Sequence, residues 1–370
     1  MDYTFRPVNS QTDNRNMEEI IANLHIHSIY SDGSGSHSDI AKAALQAGLD
    51  VVIVTDHNVF VSGPEDYYSS GERKVLLLVG EEIHDQARTP QKSHLLVLGA
   101  HSELSPMAGD MNRLMEAVRK AGGLAFIAHP DDPAAPAVGE ENLSWEDWQV
   151  AGLTGIEIWN AMSEFKSLLK SKLHAIFYAY NPSRVADRPF SQTLKKWDDM
   201  LNAGNRLAAI GGSDAHALSG RLGPLRRTLF PYEFHFRAIN THILIDHPLE
   251  GILENDRRMV LDGLRRGRSF IANDMLEPAR GFRFVAHGLD HIATFGEEIG
   301  AEKGVTFQIR LPAVADCQLL RNGQIIQTWD RQELCTFITK EPGIYRVEAF
   351  LKSKGRLRGW IYSNPIYIQN

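Results

Sequence analysis

Short apolar runs that end in a histidine or a carboxylate recur along the first part of this chain. Ile20-Ile21-Ala22 leads into Asn23-Leu24-His25-Ile26-His27, and Val51-Val52-Ile53-Val54-Thr55 ends in Asp56-His57. Val75 to Gly80 ends in Glu81-Glu82-Ile83, and Leu124 to Ala128 delivers His129-Pro130-Asp131. Gly155 to Asn160 is a short strand with a polar end, and Arg206 to Gly212 closes on Ser213-Asp214-Ala215-His216. Leu95 to Gly99 is the odd one, because its histidine, His94, stands at its start. Side chains alternate along a strand, so His25 and His27 share one face. Continuous β-branched runs of this kind belong to a sheet covered on both faces. Between them lie helical patterns: Asp39 to Ala47 stopping at Gly48, with Ser36 or Ser38 as the cap, Asp110 to Ala121 stopping at Gly122, then Leu168 to Tyr180 and Leu194 to Ala203. Strand and helix alternate, which predicts an α/β fold. In such folds the carboxyl ends of the strands share one face, and sites are built there. Residues from His25 to His216 are therefore expected to converge.

Beyond His216 the pattern predicts a loop-like stretch from Leu218 to Phe236, a strand over Thr241 to Asp246, a helix over Met259 to Arg266 and a strand over Ser269 to Asn273. From about Glu277 helical periodicity stops. Short alternating runs take over, such as Val305 to Arg310, Cys317 to Leu320, Gln324 to Gln327 and Tyr345 to Phe350, with a hairpin signal at Asn322-Gly323. The division expected is residues 1–276 as an α/β body and residues 277–370 as a small all-β, sandwich-like domain. The net charge of -7, with no basic block, argues against nucleic acid or an anionic membrane as partner. Met1 to Glu19 lacks the apolar core of a signal peptide, no run reaches the length of a membrane span, and Cys317 and Cys335 have neither disulfide-framework nor zinc-knuckle spacing. A cytoplasmic enzyme is the expectation.

The candidate constellation is His25, His27, Asp32, His57, Glu82, His94, His129, Asp214 and His216. One catalytic zinc takes three protein ligands and an open position, so this set suits two or three ions sharing a carboxylate bridge. Imidazole with carboxylate and no thiolate favours Zn, Mn or Fe. Clustered cations bring a bridging water's pKa near neutrality and clamp both the attacked and the leaving oxygen of an oxyanion substrate. A phosphate ester fits best. Asp56 is expected to orient a ligand imidazole. Trp159 and Asn160 either line a substrate mouth or, for Trp159, pack in the core. Arg184, Arg188, Arg221, Arg226 and Arg227 lie in loop-like stretches, where one could meet a phosphate but solvated arginines are commoner. His37, His174, His235, His242 and His247 belong to no motif.

These ordered motifs, His25-Ile-His27 with Ser31-Asp32-Gly33, Thr55-Asp56-His57, Gly80-Glu81-Glu82-Ile83, Ala128-His129-Pro130 and Gly212-Ser213-Asp214-Ala215-His216, resemble those of the PHP (polymerase and histidinol phosphatase) superfamily over roughly residues 20 to 275. Gly155 to Asn160, Trp197 to Leu201 and Gly263 to Ser269 are similar to its CehA/McbA branch of metallohydrolases, some of which hydrolyse aryl carbamates. The resemblance implies a distorted seven-stranded β/α barrel with a trinuclear site and phosphoesterase activity. It implies that His25 and His27 share one ion with Asp214, that Glu82 bridges it to a second completed by His94 and His129, and that Asp32, His57 and His216 hold a third. Glu82, Asp214 and His216 are then the catalytic candidates. The expected reaction is hydrolysis of a small-molecule phosphate ester by a metal-bridging hydroxide. The rivals are a carbamate or carboxylic ester hydrolase and a non-catalytic binding or regulatory protein.

Overall fold

The computed structural model describes residues 17–222, 225–289 and 291–370. Seven strands carry the candidate residues: β1 Glu18–Asn23, β2 Val51–Val54, β3 Arg73–Ile83, β4 Leu95–Leu98, β5 Leu124–Ile127, β6 Gly155–Asn160 and β7 Ala208–Gly212. Their pairing runs in that order. β1–β2, β2–β3, β5–β6 and β6–β7 are parallel, whereas β3–β4 and β4–β5 are antiparallel. One parallel bridge, Ile26 with Ala215, joins the segments just past β1 and β7, through His27 N–H to the Ala215 carbonyl at 3.0 Å and Ala215 N–H to the His25 carbonyl at 3.2 Å. The sheet is thus mixed, and β4 runs against its neighbours.

That reversal explains the odd position of His94. Leu95 pairs with Ile83 at the end of β3 and with Ile127 at the end of β5, so the start of β4 lies beside the ends of both. The helix α1, His37–Ala47, follows the first site loop. Ser36 caps it through a reciprocal box with Asp39, and Gly48 ends it at φ +83°. The helix expected over Leu168 to Tyr180 is confined to Lys172–Tyr180, and a separate helix, Ala161–Ser167, precedes it. The stretch expected to be loop-like contains a two-stranded hairpin, Ser219–Leu222 with Leu225–Thr228, and a short helix, Tyr232–Phe236.

Every element from Arg283 to Gln369 is a strand among the described residues. Runs expected to be separate fuse into a long hairpin, Val305–Arg321 with Gln324–Thr339, turned by Asn322 and Gly323, both at positive φ. Register shifts between Arg310 and Cys317 bend the first arm. Its first part pairs with Arg283–His287 and its second with Gly343–Ser353. The two parts of the chain are also one hydrogen-bonded sheet. β1 pairs with Ile239–Ile245, which pairs with Ser269–Asn273, which pairs with Arg356–Ser363. Phe270 and Leu244 share an apolar cluster with Phe284, Phe307 and Trp360.

At this junction His242 is fully buried, with Nδ1 2.8 Å from Glu19 and Nε2 3.0 Å from Asp274. Burial opposes charge on the ring, but Asp274 and Glu19 outweigh it and raise the imidazole to about 9. A group whose pKa rises on folding stabilises fully below its unfolded value and loses that contribution as pH climbs through the folded one. Denaturant midpoints should therefore fall between about pH 6.5 and 9, and His242→Gln should flatten that slope.

Candidate metal centre

Glu82 sits at the middle of the site, fully buried near the end of β3. Its Oε2 lies 3.0 Å from His25 Nε2, 3.1 Å from His27 Nε2 and 3.2 Å from His57 Nδ1. Its Oε1 lies 2.8 Å from His94 Nδ1 and 2.9 Å from His129 Nε2. The neighbouring Glu81 points to the other face of the strand, where it accepts the Leu104 N–H. There burial and its hydrogen bond with Glu103 push its carboxyl up to about 9. Burial would do the same to Glu82, but the surrounding imidazoles of His25, His57 and His94 hold its carboxyl well below the usual range.

Asp214 reaches in from the loop after β7, with Oδ1 3.1 Å from His27 Nε2 and 3.5 Å from His25 Nε2. Asp32 lies 3.2 Å from His216 Nε2 and 3.7 Å from both His27 Nδ1 and His57 Nε2. Donor atoms lie within 4.8 Å of one another in three groups: His25, His27, Glu82 and Asp214; His27, Asp32, His57 and His216; and His57, Glu82 and His94. The structure thus brings the sequence candidates around one centre, with two differences in grouping: His129, 2.9 Å from Glu82, falls in none of the three groups, and His57 takes its place beside Glu82 and His94. His57 stands between two groups because its ring nitrogens face opposite sides, Nδ1 towards Glu82 and Nε2 towards Asp32.

Backbone geometry serves these placements. His129 (φ +24°) and Asp214 (φ +53°) are left-handed without being glycine, a conformation the surroundings must enforce. For Asp214 the preceding Ser213 is pinned, its hydroxyl donating to the His235 carbonyl and accepting from Asn23 Nδ2 at 2.7 Å. Gly33 lets the turn bearing Asp32 close on the strand end, since a Cβ there would sit 2.0 Å from the His27 carbonyl oxygen.

Asp56 does not orient an imidazole. It accepts from the Ser28 N–H and hydroxyl and from the Ser31 hydroxyl, at 2.6–2.7 Å, and so braces the loop after β1. The imidazole support falls instead to Glu157, which the sequence reading passed over. Its oxygens lie 3.1 and 3.2 Å from His25 Nδ1, and it accepts the His129 N–H at 2.9 Å and Asn160 Nδ2 at 3.0 Å. Its signal was a carboxylate in the middle of the apolar strand β6. Asn160 also reaches Asp214, at 3.4 Å, whereas Trp159 is buried core that donates to Glu164. A partner behind a ligand histidine fixes its tautomer, so Glu157→Gln should weaken metal binding about 10- to 100-fold while the fold persists. Metal titration followed by circular dichroism checks both halves.

The donor set suits divalent cations. Both ring nitrogens of buried His27, and Nδ1 of His57, meet hydrogen-bond geometry with no described residue, although carboxylate oxygens lie near. Lone pairs so placed are what a cation among the groups would use. A cavity of about 350 Å³ opens onto this centre, touching Asp32, His57, His94, His129, Asp214 and His216. Its far wall is largely apolar, with Met162, Phe165, Leu169, Leu218 and Leu229. The one basic side chain described in that wall is Lys166, held 2.7 Å from Asp132. Of the loop arginines, Arg188 donates to the Leu357 carbonyl and Arg184 lies over the Phe177 ring. The side chains of Arg221, Arg226 and Arg227 lie outside those described.

Residues 23–127 match the PHP domain. The PHP match takes in His25, His27, Asp32, His57, Glu82 and His94 and stops short of His129, Asp214 and His216. The chain is also 28% identical over 151 residues to an uncharacterized protein of Methanocaldococcus jannaschii, an alignment spanning 38% of this chain and 81% of that one. Among solved structures, it is similar to a two-domain protein of Bacteroides vulgatus described as containing a "predicted PHP-like metal-dependent phosphoesterase", at 18% identity and TM-score 0.45, covering 98% of this chain and 99% of that one. It is similar too to an amidohydrolase of Chromobacterium violaceum with bound sulfate, at 16% identity and TM-score 0.30, covering 57% of this chain and 92% of that one.

Proposed function

We propose that this chain is a metal-dependent hydrolase cleaving a small-molecule phosphate ester at a centre of two or three Zn, Mn or Fe ions. The observation that carries this reading is the division of labour at Glu82, one oxygen facing His25, His27 and His57 and the other facing His94 and His129. A carboxylate presented that way would suit a bridging role between two ions. In this assignment His25, His27 and Asp214 share the first ion, His94 and His129 complete the second, and Asp32, His57 and His216 hold the third. Divalent ions there supply Lewis acidity and activate water near neutral pH.

The chain's own residues do the rest. Glu157 and Asn160 lock His25 and Asp214 in place. His216 donates Nδ1–H to the Asp214 carbonyl at 2.8 Å, which leaves Nε2 as the basic nitrogen on the Asp32 side, at the cavity. We take residues 1–276 as the catalytic body, with β1 to β7 forming a distorted barrel closed at the Ile26–Ala215 bridge, and residues 277–370 as a sandwich-like addition. A cytoplasmic setting fits this reading.

A second reading has its own support. The apolar far wall, with its single described cation already paired to Asp132, favours an aryl carbamate or carboxylic ester. Assaying the Mn- and Zn-loaded protein side by side on aryl phosphate monoester, phosphate diester and aryl carbamate separates the two. The expected result is phosphate ester turnover, abolished by chelation and by Asp214→Ala. Turnover that survives chelation sinks both readings, and carbamate cleavage alone replaces the first with the second.

A further inference from the structure

The helix Lys172–Tyr180 forms part of the cavity wall, with Ala175 turned towards the metal centre. Its other side is apolar and faces solvent. Leu173, Ile176 and Phe177 recur at helical spacing and are 76, 48 and 46% exposed. A single exposed leucine needs no explanation, but a stripe at this spacing on an otherwise exposed helix does. Across residues 170–184 the chain carries Lys170, Lys172, His174 and Arg184 and no carboxylate, and both lysines and Arg184 are exposed. The whole-chain charge of -7 argues against an anionic partner. Screening removes that objection, because charges beyond roughly 8 Å contribute little at physiological salt. What a surface meets here is the local patch, which is cationic and apolar together.

We propose that this helix docks the protein in the plane of an anionic lipid surface. An apolar stripe flanked by cations is the pattern that lies in the headgroup layer, where burial of the apolar side and attraction to anionic lipid add. No described helix is long and apolar enough to cross a membrane, so the contact is peripheral. Exposed Lys170 and Lys172 beside the apolar stripe complement anionic headgroups, which selects this occupant. The inference stands whatever bond the metal centre cleaves.

Co-sedimentation of the metal-loaded full chain with vesicles of phosphatidylcholine alone, or with about one third phosphatidylserine, tests it. Binding is expected only with phosphatidylserine, weakening as salt rises. The double variant Leu173→Ser/Phe177→Ser should reduce the partition coefficient by about tenfold or more, and Lys170→Glu/Lys172→Glu should abolish the preference for phosphatidylserine. Leu334→Ser/Ile338→Ser, at positions of the C-terminal hairpin that are 70 and 75% exposed, should bind as the parent does. Thermal melts confirm that each variant is folded, which these exposed positions favour. Absence of phosphatidylserine-dependent binding overturns the proposal, as does equal loss in the hairpin control. A dimer on gel filtration that Leu173→Ser/Phe177→Ser splits overturns it in favour of a second copy.

Discussion

Glu82→Gln should remove most of the metal from this protein and leave it folded. The amide keeps the shape of the side chain but not the charge on which His25, His27, His57, His94 and His129 converge. Removing a supporting hydrogen bond behind a ligand costs about 10- to 100-fold in metal affinity, and losing a shared ligand exceeds that because both its ions are affected. Elemental analysis of the purified variant should show fewer ions per chain than the parent, with turnover lowered by at least about 100-fold. The far-ultraviolet spectrum should be unchanged, because β3 is held on both sides by backbone ladders that the Glu82 side chain does not make. A variant that retains the parent's full metal complement would falsify the bridging role. Glu81→Gln is the matched control, since that carboxyl faces Leu104 and Glu103 outside the centre.

A comparable loss, of stability rather than metal, is expected from Arg346→Met. Arg346 lies on Gly343–Ser353 in the all-β part, with a side chain only 3% exposed. It forms a two-pronged ion pair with Asp198, at 2.8 and 2.7 Å, and a third bond to Glu348 at 2.5 Å. Asp198 belongs to the helix Ser191–Asn202, so this buried pair spans the two parts of the chain. Taking away one partner strands the other charge, which costs about 3–5 kcal/mol in comparable buried pairs. Denaturant unfolding should register that loss. Adding Asp198→Leu should recover part of it, since the penalty comes from the orphaned carboxylates rather than from the pair's net worth.

Much of the site was legible because it obeys strand geometry. His25, His27, His129 and Asp214 all follow apolar runs, and a sheet gathers the ends of such runs on one face. His94 looked misplaced only until β4 proved to run in reverse, and nothing in a four-residue run announces direction. Glu157 escaped notice because its role is to support His25, and supporting contacts depend on which strands become neighbours. Asp56, expected to orient an imidazole, has its partners set by the fold instead. The serines that claim it, Ser28 and Ser31, come from another strand's loop, so no local rule could reveal them. The first arm of the long hairpin looks fragmentary in sequence for a related reason: Pro312 and the neighbouring register shifts interrupt the alternation where the strand bends.

The pairing of Ser269–Asn273 with Arg356–Ser363 bears on how the chain can be cut. Ended at residue 276, it would present Ser269–Asn273 as an open sheet edge, with Phe270 stripped of the rings of Phe282 and Phe295 that pack on it. Backbone donors and acceptors lined up along a bare edge are a template for another chain's strand. The C-terminal strands thus act as a plug against self-association, and the metal-bearing part is expected to be soluble only while they remain attached.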